Sequence, residues 1–247
     1  MSSATSSASR ATRSLLAAGA ACVLALAFGT PVHAQSEADL GRACAQGKEA
    51  PAAAVAACSS LMILVVGAQD LAVVYDNRGY ARLETGDFAG AEADFDEALT
   101  RSPGMLVAEQ GRGRARVLRG AYADAVADLT LAWEANHDDV FGSLWLFVAQ
   151  KRAGIADAHP ADGSLWPKSL LLFVTGKQSA QETMAQASSP DDAHRPLRVC
   201  LIGFVVSEDA VATHASDARR WLELTAQTCP AGQLEGIATR TELQRLP

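Results

Sequence analysis

The sequence predicts an all-α protein: a right-handed solenoid of paired helices with a helical cap hairpin at its N-terminal end and a helical tail at its C-terminal end. Two observations carry that expectation. Residues 72–105 and 106–139 repeat with a period of 34, so that Gly79 falls over Gly113, Ala81 over Ala115, Gly86 over Gly120, Ala91 over Ala125 and Ala98 over Ala132, while Phe88 falls over Tyr122 and Phe95 over Leu129. A fixed period of this length marks stacked supersecondary units, in which small residues let helices approach and aromatic ones fill the gaps. The second observation is a set of four cysteines, Cys44 and Cys58 before the repeats and Cys200 and Cys229 after them, placed to staple the two ends.

Residues 1–34 read as a signal peptide. Arg10 and Arg13 form a short positive region, Leu15 to Phe28 is apolar, and Val32-His33-Ala34 precedes Gln35 in a small-x-small cleavage pattern. The apolar run is shorter than the roughly 20 residues that a spanning helix needs. Cys22 lies inside it with Gly19 three places earlier, which is not a lipobox, and the expectation is that Cys22 is discarded with the peptide. Of the 21 basic residues two lie in this leader, leaving 19 against 28 acidic ones, a net charge near −9. That balance argues against a nucleic-acid partner, whose phosphates need clustered Lys and Arg. No later apolar stretch is long enough to span a membrane, the longest candidate being Ser169 to Thr175.

Residues 35–71 are expected to form the capping hairpin, with helices over Ser36 to Ala45 and Ala52 to Leu64. Four cysteines allow three connectivities. Local pairing, Cys44 with Cys58 and Cys200 with Cys229, is favoured because each pair falls on neighbouring helices, and an even count fits an oxidising compartment. A metal site finds no close Cys-x-x-Cys or Cys/His spacing. In the repeats, Gly86 and Gly120 end the first helices, Asp87 and Ala121 open the turns to the second, and Pro103 closes the first repeat, where the second has His137. Residues 140–165 are a degenerate third repeat, with one helix over Phe141 to Arg152 and then Pro160, Gly163 and Pro167, which no second helix would tolerate. Residues 166–247 are a helical tail, read as helices over Trp166 to Val174, Ser179 to Ala187, Ala193 to Val206, Ala215 to Thr228 and Gly236 to Leu246.

The repeat positions are similar to the tetratricopeptide-repeat (TPR) pattern: Asn77-Arg78-Gly79, Gly86-Asp87-Phe88, Ala98-Leu99 and Pro103 carry nearly every signature position of the first repeat. With its leader and cysteine-bearing hairpin, the chain resembles small exported TPR proteins of Gram-negative bacteria. In the tail, Trp166-Pro167, Leu172-Phe173-Val174-Thr175-Gly176, Cys200, Ala218-Arg219-Arg220-Trp221 and Glu235 to Leu246 resemble the C-terminal region of the new lipoprotein I family. That resemblance implies an adaptor that docks a periplasmic protease and cell-wall enzymes. It also implies a lipid anchor, for which this chain lacks the lipobox.

Arg78, Arg82, Arg112 and Arg116 recur with the period of 34, as do Asp94 and Asp128. The simplest account is an intrarepeat pair in each repeat, Arg78 with Asp94 and Arg112 with Asp128; the alternative is a partner-facing basic stripe extended by Arg114 and Arg119. No catalytic or metal-binding constellation is expected. His137-Asp138-Asp139 falls at a repeat junction where polar residues cap helices, and His159, His194 and His214 have no repeated ligand spacing. Gly111-Arg112-Gly113-Arg114 lies within a repeat helix and follows no strand, unlike a phosphate loop.

Binding is the function class that remains, with no cofactor. The first helices of stacked repeats line the concave side, and the side chains expected there are Asp76, Asn77, Tyr80 and Glu84 from the first repeat and Gln110, Arg114 and Val117 from the second. Asn77 and Arg114 are similar to part of the carboxylate clamp of some cytosolic TPR proteins, but Asp76 stands where that clamp needs a lysine. The leading expectation is a soluble periplasmic scaffold that binds a cell-envelope protein or peptide through this face. The alternative is a structural subunit whose repeats drive self-assembly.

Overall fold

The computed structural model describes residues 36–47, 49–155, 166–188 and 195–247; the signal peptide expected over residues 1–34, Pro160, Gly163, His159 and His194 lie outside these. The described residues form helices and connecting turns without a strand.

The cap hairpin consists of α1 (Glu37–Ala45) and α2 (Pro51–Leu61). Ser36 starts α1 through a capping box with Asp39, and Pro51 starts α2 at a position where its missing N–H costs nothing. A Cys44–Cys58 disulfide, with Cα atoms 4.7 Å apart, joins the two. Leu40, Cys44, Ala57, Cys58 and Leu61 form a small core with Val74 of the next helix, and so dock the hairpin on the first repeat. The second helix ends at Leu61 rather than at Leu64; the turn that follows leaves Ile63 and Val66 almost fully exposed.

The two repeats are α3 (Ala68–Thr85) with α4 (Phe88–Arg101), and α5 (Leu106–Arg119) with α6 (Tyr122–Ala135). Gly86 and Gly120 end the first helices with φ of 83° and 88°, a left-handed conformation that lets the N–H groups of the closing turn reach carbonyls orphaned at the helix end. Phe95 shows why the repeat needs glycine inside its helices. It is fully buried, and a Cβ placed on Gly79 or Gly111 would lie 2.7 Å or 2.4 Å from its ring, so α3 and α5 close on it from two sides. A Cβ on Gly113 would likewise lie 2.6 Å from Leu129, so Gly111 and Gly113 are both packing residues.

The arginine and aspartate registers meet in the same way in both repeats. Arg78 donates to Asp94 through Nε (2.9 Å) and Nη2 (2.7 Å), and Arg112 donates to Asp128 with the same two distances. Each carboxylate holds a second guanidinium 2.8 Å away, Arg82 on Asp94 and Arg116 on Asp128. The remaining Nη1 of each leading arginine reaches the preceding helix, from Arg78 to Ser59 (3.0 Å) and from Arg112 to Asp96 (2.7 Å). Arg119 and Arg116 share Glu92. These arginines are consumed inside the stack and form no free basic stripe.

The third repeat contributes α7 (Val140–Arg152), in which every residue from Gly142 to Ala149 is buried. A helix buried all round belongs at the centre of a larger body. The tail supplies its second side: α8 (Lys168–Val174), α9 (Ala180–Ala187), α10 (Arg195–Ala212), α11 (Ala218–Thr228) and α12 (Leu234–Arg245). Trp145 of α7 packs on Phe204 of α10, and Phe147 packs edge-on against Trp166, whose indole N–H donates to Ser143. The α10 helix continues to Ala212, six residues beyond the end expected at Val206, because Glu208 and Asp209 face inward. Arg152 reaches Glu208 at 2.6 Å and Lys151 reaches Asp209 at 2.8 Å. The Cys200–Cys229 disulfide, with Cα atoms 4.6 Å apart, ties α10 to the end of α11.

Candidate functional site

The first helices of the three repeats present one face, and the last helix covers its far half. From α12, Glu235 accepts a hydrogen bond from the Trp145 indole (2.9 Å), Glu242 pairs with Arg152 (2.8 Å), and Arg245 donates to the Leu118 carbonyl. The near half is open. It is a cleft of about 920 Å³ floored by α3 and α5, walled on one side by the end of α1 and the turn after it, and on the other by the turn into α12 and the start of α7.

Five of the seven side chains expected on this face line the cleft: Asp76, Asn77, Tyr80, Glu84 and Arg114. They occupy one side of α3 at i, i+1, i+4 and i+8 and meet α5 across it. Two do not belong to it. Val117 is in the core at 4 % exposure, because the tail covers α5 beyond Arg114. Gln110 points its amide to Asp139, whose carboxylate also caps α7 by accepting from the Gly142 N–H at 3.0 Å. Asp139 is thus a helix cap; His137 packs at a tilt against the Trp133 ring and His214 sits in a turn at φ 55°. Among the described residues no three His, Cys, Asp or Glu side chains converge on a metal position.

Within the cleft, Tyr80 is a fixed strut. Its hydroxyl donates to the Val107 carbonyl at 2.9 Å and its ring stands edge-on to Phe95. Burial raises its phenol to a pKa of about 12, with the nearby Arg114 cation working in the other direction. Arg114 lies over the Trp145 ring at 5.9 Å and makes no ion pair among the described residues, and its Nε is buried without a hydrogen-bond partner. Asp76 is 7 % exposed, and its Oδ1 is likewise without a partner. Burial alone raises the Asp76 carboxyl to a pKa of about 7.

The cleft also has an apolar rim that the sequence pattern did not announce. Val107 and Phe141 line the cleft at 50 % and 43 % exposure, and Val73, 50 % exposed, holds the same register in the first repeat. Positions 73, 107 and 141 follow the period of 34, so a signal was present. Apolar residues at repeat positions are ordinarily core, and only the structure shows that these face out.

No protein-family model matches the chain. Its fold is similar to the crystal structure, at 2.39 Å resolution, of a tetratricopeptide repeat protein from Parabacteroides merdae ATCC 43184, with a TM-score of 0.51 and 16 % identity over 86 % of each chain. At that identity the likeness concerns the fold alone. The protein is an all-α, TPR-like helical solenoid, an architecture whose stacked units present extended binding surfaces. Among the described residues no helix is long and apolar enough to cross a membrane.

Proposed function

We propose that the protein is an exported, periplasmic adaptor that holds an extended segment of a cell-envelope protein in the cleft between its cap hairpin, its first repeat helices and its tail. The observation that carries this reading is the cleft itself: an open volume at the upper end of the range typical of ligand sites, about 300–1,000 Å³, rimmed by outward-facing apolar side chains in repeat register. Apolar anchors beside charged groups are what an extended peptide needs for both affinity and register. Two disulfides support an oxidising compartment. The adaptor role implied by the resemblance of the tail to the new lipoprotein I family points the same way.

The test is site-specific photo-crosslinking in cells. A benzophenone side chain at Phe141 is expected to trap a partner, and the same group at Glu134, an exposed residue of α6 outside the cleft lining, is not. Phe141→Ala combined with Arg114→Ala should abolish an adduct formed from a benzophenone at Val107. Equal trapping at Glu134 and Phe141 would refute the cleft as the binding surface. Self-assembly, the competing reading, would instead give adducts between copies of this chain and a mass that rises with concentration in light scattering.

A further inference from the structure

Building on that reading, we infer that the cleft is a receptor for a peptide segment carrying a primary ammonium beside an apolar side chain, with Asp76 as the ammonium's counter-ion, Val107 and Phe141 as the apolar seat, and Arg114 as donor to a carbonyl of the same segment.

Asp76 is the first ground. A buried carboxylate without a hydrogen-bond partner is costly, and native structures leave few of them. The repeat register explains how this one arises. Gln110 is the counterpart of Asp76 one repeat later and is satisfied by Asp139; the residue that stands to Asp76 as Asp139 stands to Gln110 is Met105, which offers no polar hydrogen. The chain thus leaves Asp76, a lining residue of the cleft, with a buried carboxylate oxygen that has no donor, beside a volume large enough to admit one.

Charge supplies the second ground. Glu49, Asp76, Glu84, Asp139 and Glu235 line the cleft, and Arg114 is the one guanidinium among its described lining residues. Asp139 and Glu235 are engaged by Gln110 and Trp145, and Glu84 has a partner of its own. The field inside therefore favours a cation, and an entering ammonium finds its strongest site at the carboxylate that has no partner. Arg114 is held over Trp145 without an anion, and its buried Nε has a hydrogen to give. A peptide meets both demands at once: a donor cation for Asp76, a carbonyl for Arg114, and an adjoining side chain for the apolar rim. A peptide ammonium has two sources, a free N-terminus or a lysine, and the probe separates them.

The probe is an equimolar mixture of C-terminally amidated hexapeptides randomised over Ala, Leu, Ser, Glu and Lys, half of them N-acetylated. Peptides retained by the purified protein are read by mass spectrometry. The expected result is enrichment of at least about tenfold for peptides with an ammonium next to Leu over acetylated, lysine-free ones, the scale of a desolvated charge partner. Enrichment confined to free N-termini or to lysines identifies the source. Asp76→Asn, nearly isosteric, should remove the preference while keeping the melting curve cooperative, and Asp76→Glu should restore part of it; Glu49→Gln, at the exposed edge, should leave it intact. Retention without ammonium preference, or a preference that survives Asp76→Asn, overturns this assignment and leaves the cleft standing as a peptide site. Retention of no peptide class overturns both.

Discussion

Asp94 and Asp128 are 2 % and 3 % exposed, and each is held by two guanidiniums; Asp76, nearly as buried, is held by none. The first two are structural, because breaking a buried pair from one side strands the remaining charge. Asp76 works against the fold. Its pKa is raised from 3.8 to about 7, so the folded state binds more protons than the unfolded state between those values, and stability falls as pH rises through that window. Glu208, raised to about 7 by burial despite the opposing Arg152 cation, acts in the same direction. Asp76→Asn is therefore expected to leave stability at pH 4 nearly unchanged and to raise it at pH 8 by about 1–3 kcal/mol, the scale of an unsatisfied buried group. Urea titrations at the two pH values measure this, and an equal effect at both would show that the carboxyl is not desolvated. The arginine pairs were legible in the sequence because both partners share the period of 34. The orphaned state of Asp76 was not, since it depends on the absence of a neighbour that a different helix would have to supply.

Helices α3, α4 and α5 meet at Phe95, and glycine makes the meeting possible. Gly111→Ala would place a methyl carbon 2.4 Å from the Phe95 ring, with Gly79 already against its other approach, so the ring has no free direction in which to move. The expected cost is about 1–3 kcal/mol of overpacking in spite of alanine's better helix propensity. Replacing both residues, Gly111→Ala with Phe95→Leu, should recover part of that loss in thermal melts; a fully additive pair would contradict the contact. Element boundaries were legible where local chemistry sets them, as at Gly86 and Gly120, at the Ser36 and Ser179 capping boxes, and at Asp139. They were not where tertiary partners do. The last turns of α10 dock on α7 through the pairs of Lys151 with Asp209 and Arg152 with Glu208, residues that read as a polar loop when seen alone.

At the scale of the whole molecule, the tail closes on the repeats: α10 packs against α7, and α12 covers the face beyond the cleft. The disulfide from Cys200 to Cys229 fastens this closure across 29 positions. Replacing both cysteines by alanine should cost about 3–4 kcal/mol by loop entropy and, because the tail packs on α7, should lower the midpoint of a single transition rather than release the tail first. Tryptophan fluorescence, which sums Trp133, Trp145, Trp166 and Trp221 across repeats and tail, and far-ultraviolet dichroism followed together in urea distinguish the two outcomes. The repeats made the fold class legible, whereas the placement of α12 over α5 and α7 carries no periodic signal, which is why Val117 read as a surface residue.

An open array of stacked units can lengthen by duplicating one of them, since the new copy meets the same neighbours as the old. Here the cap hairpin binds one end through Val74 and the tail grips both Trp145 and Leu118, so an inserted copy would carry those two anchor points away from the helix that spans them. The number of units is consequently set by the reach of a single C-terminal helix. Variation among descendants of this chain is expected in the residues that face the cleft, with the count of repeats held constant.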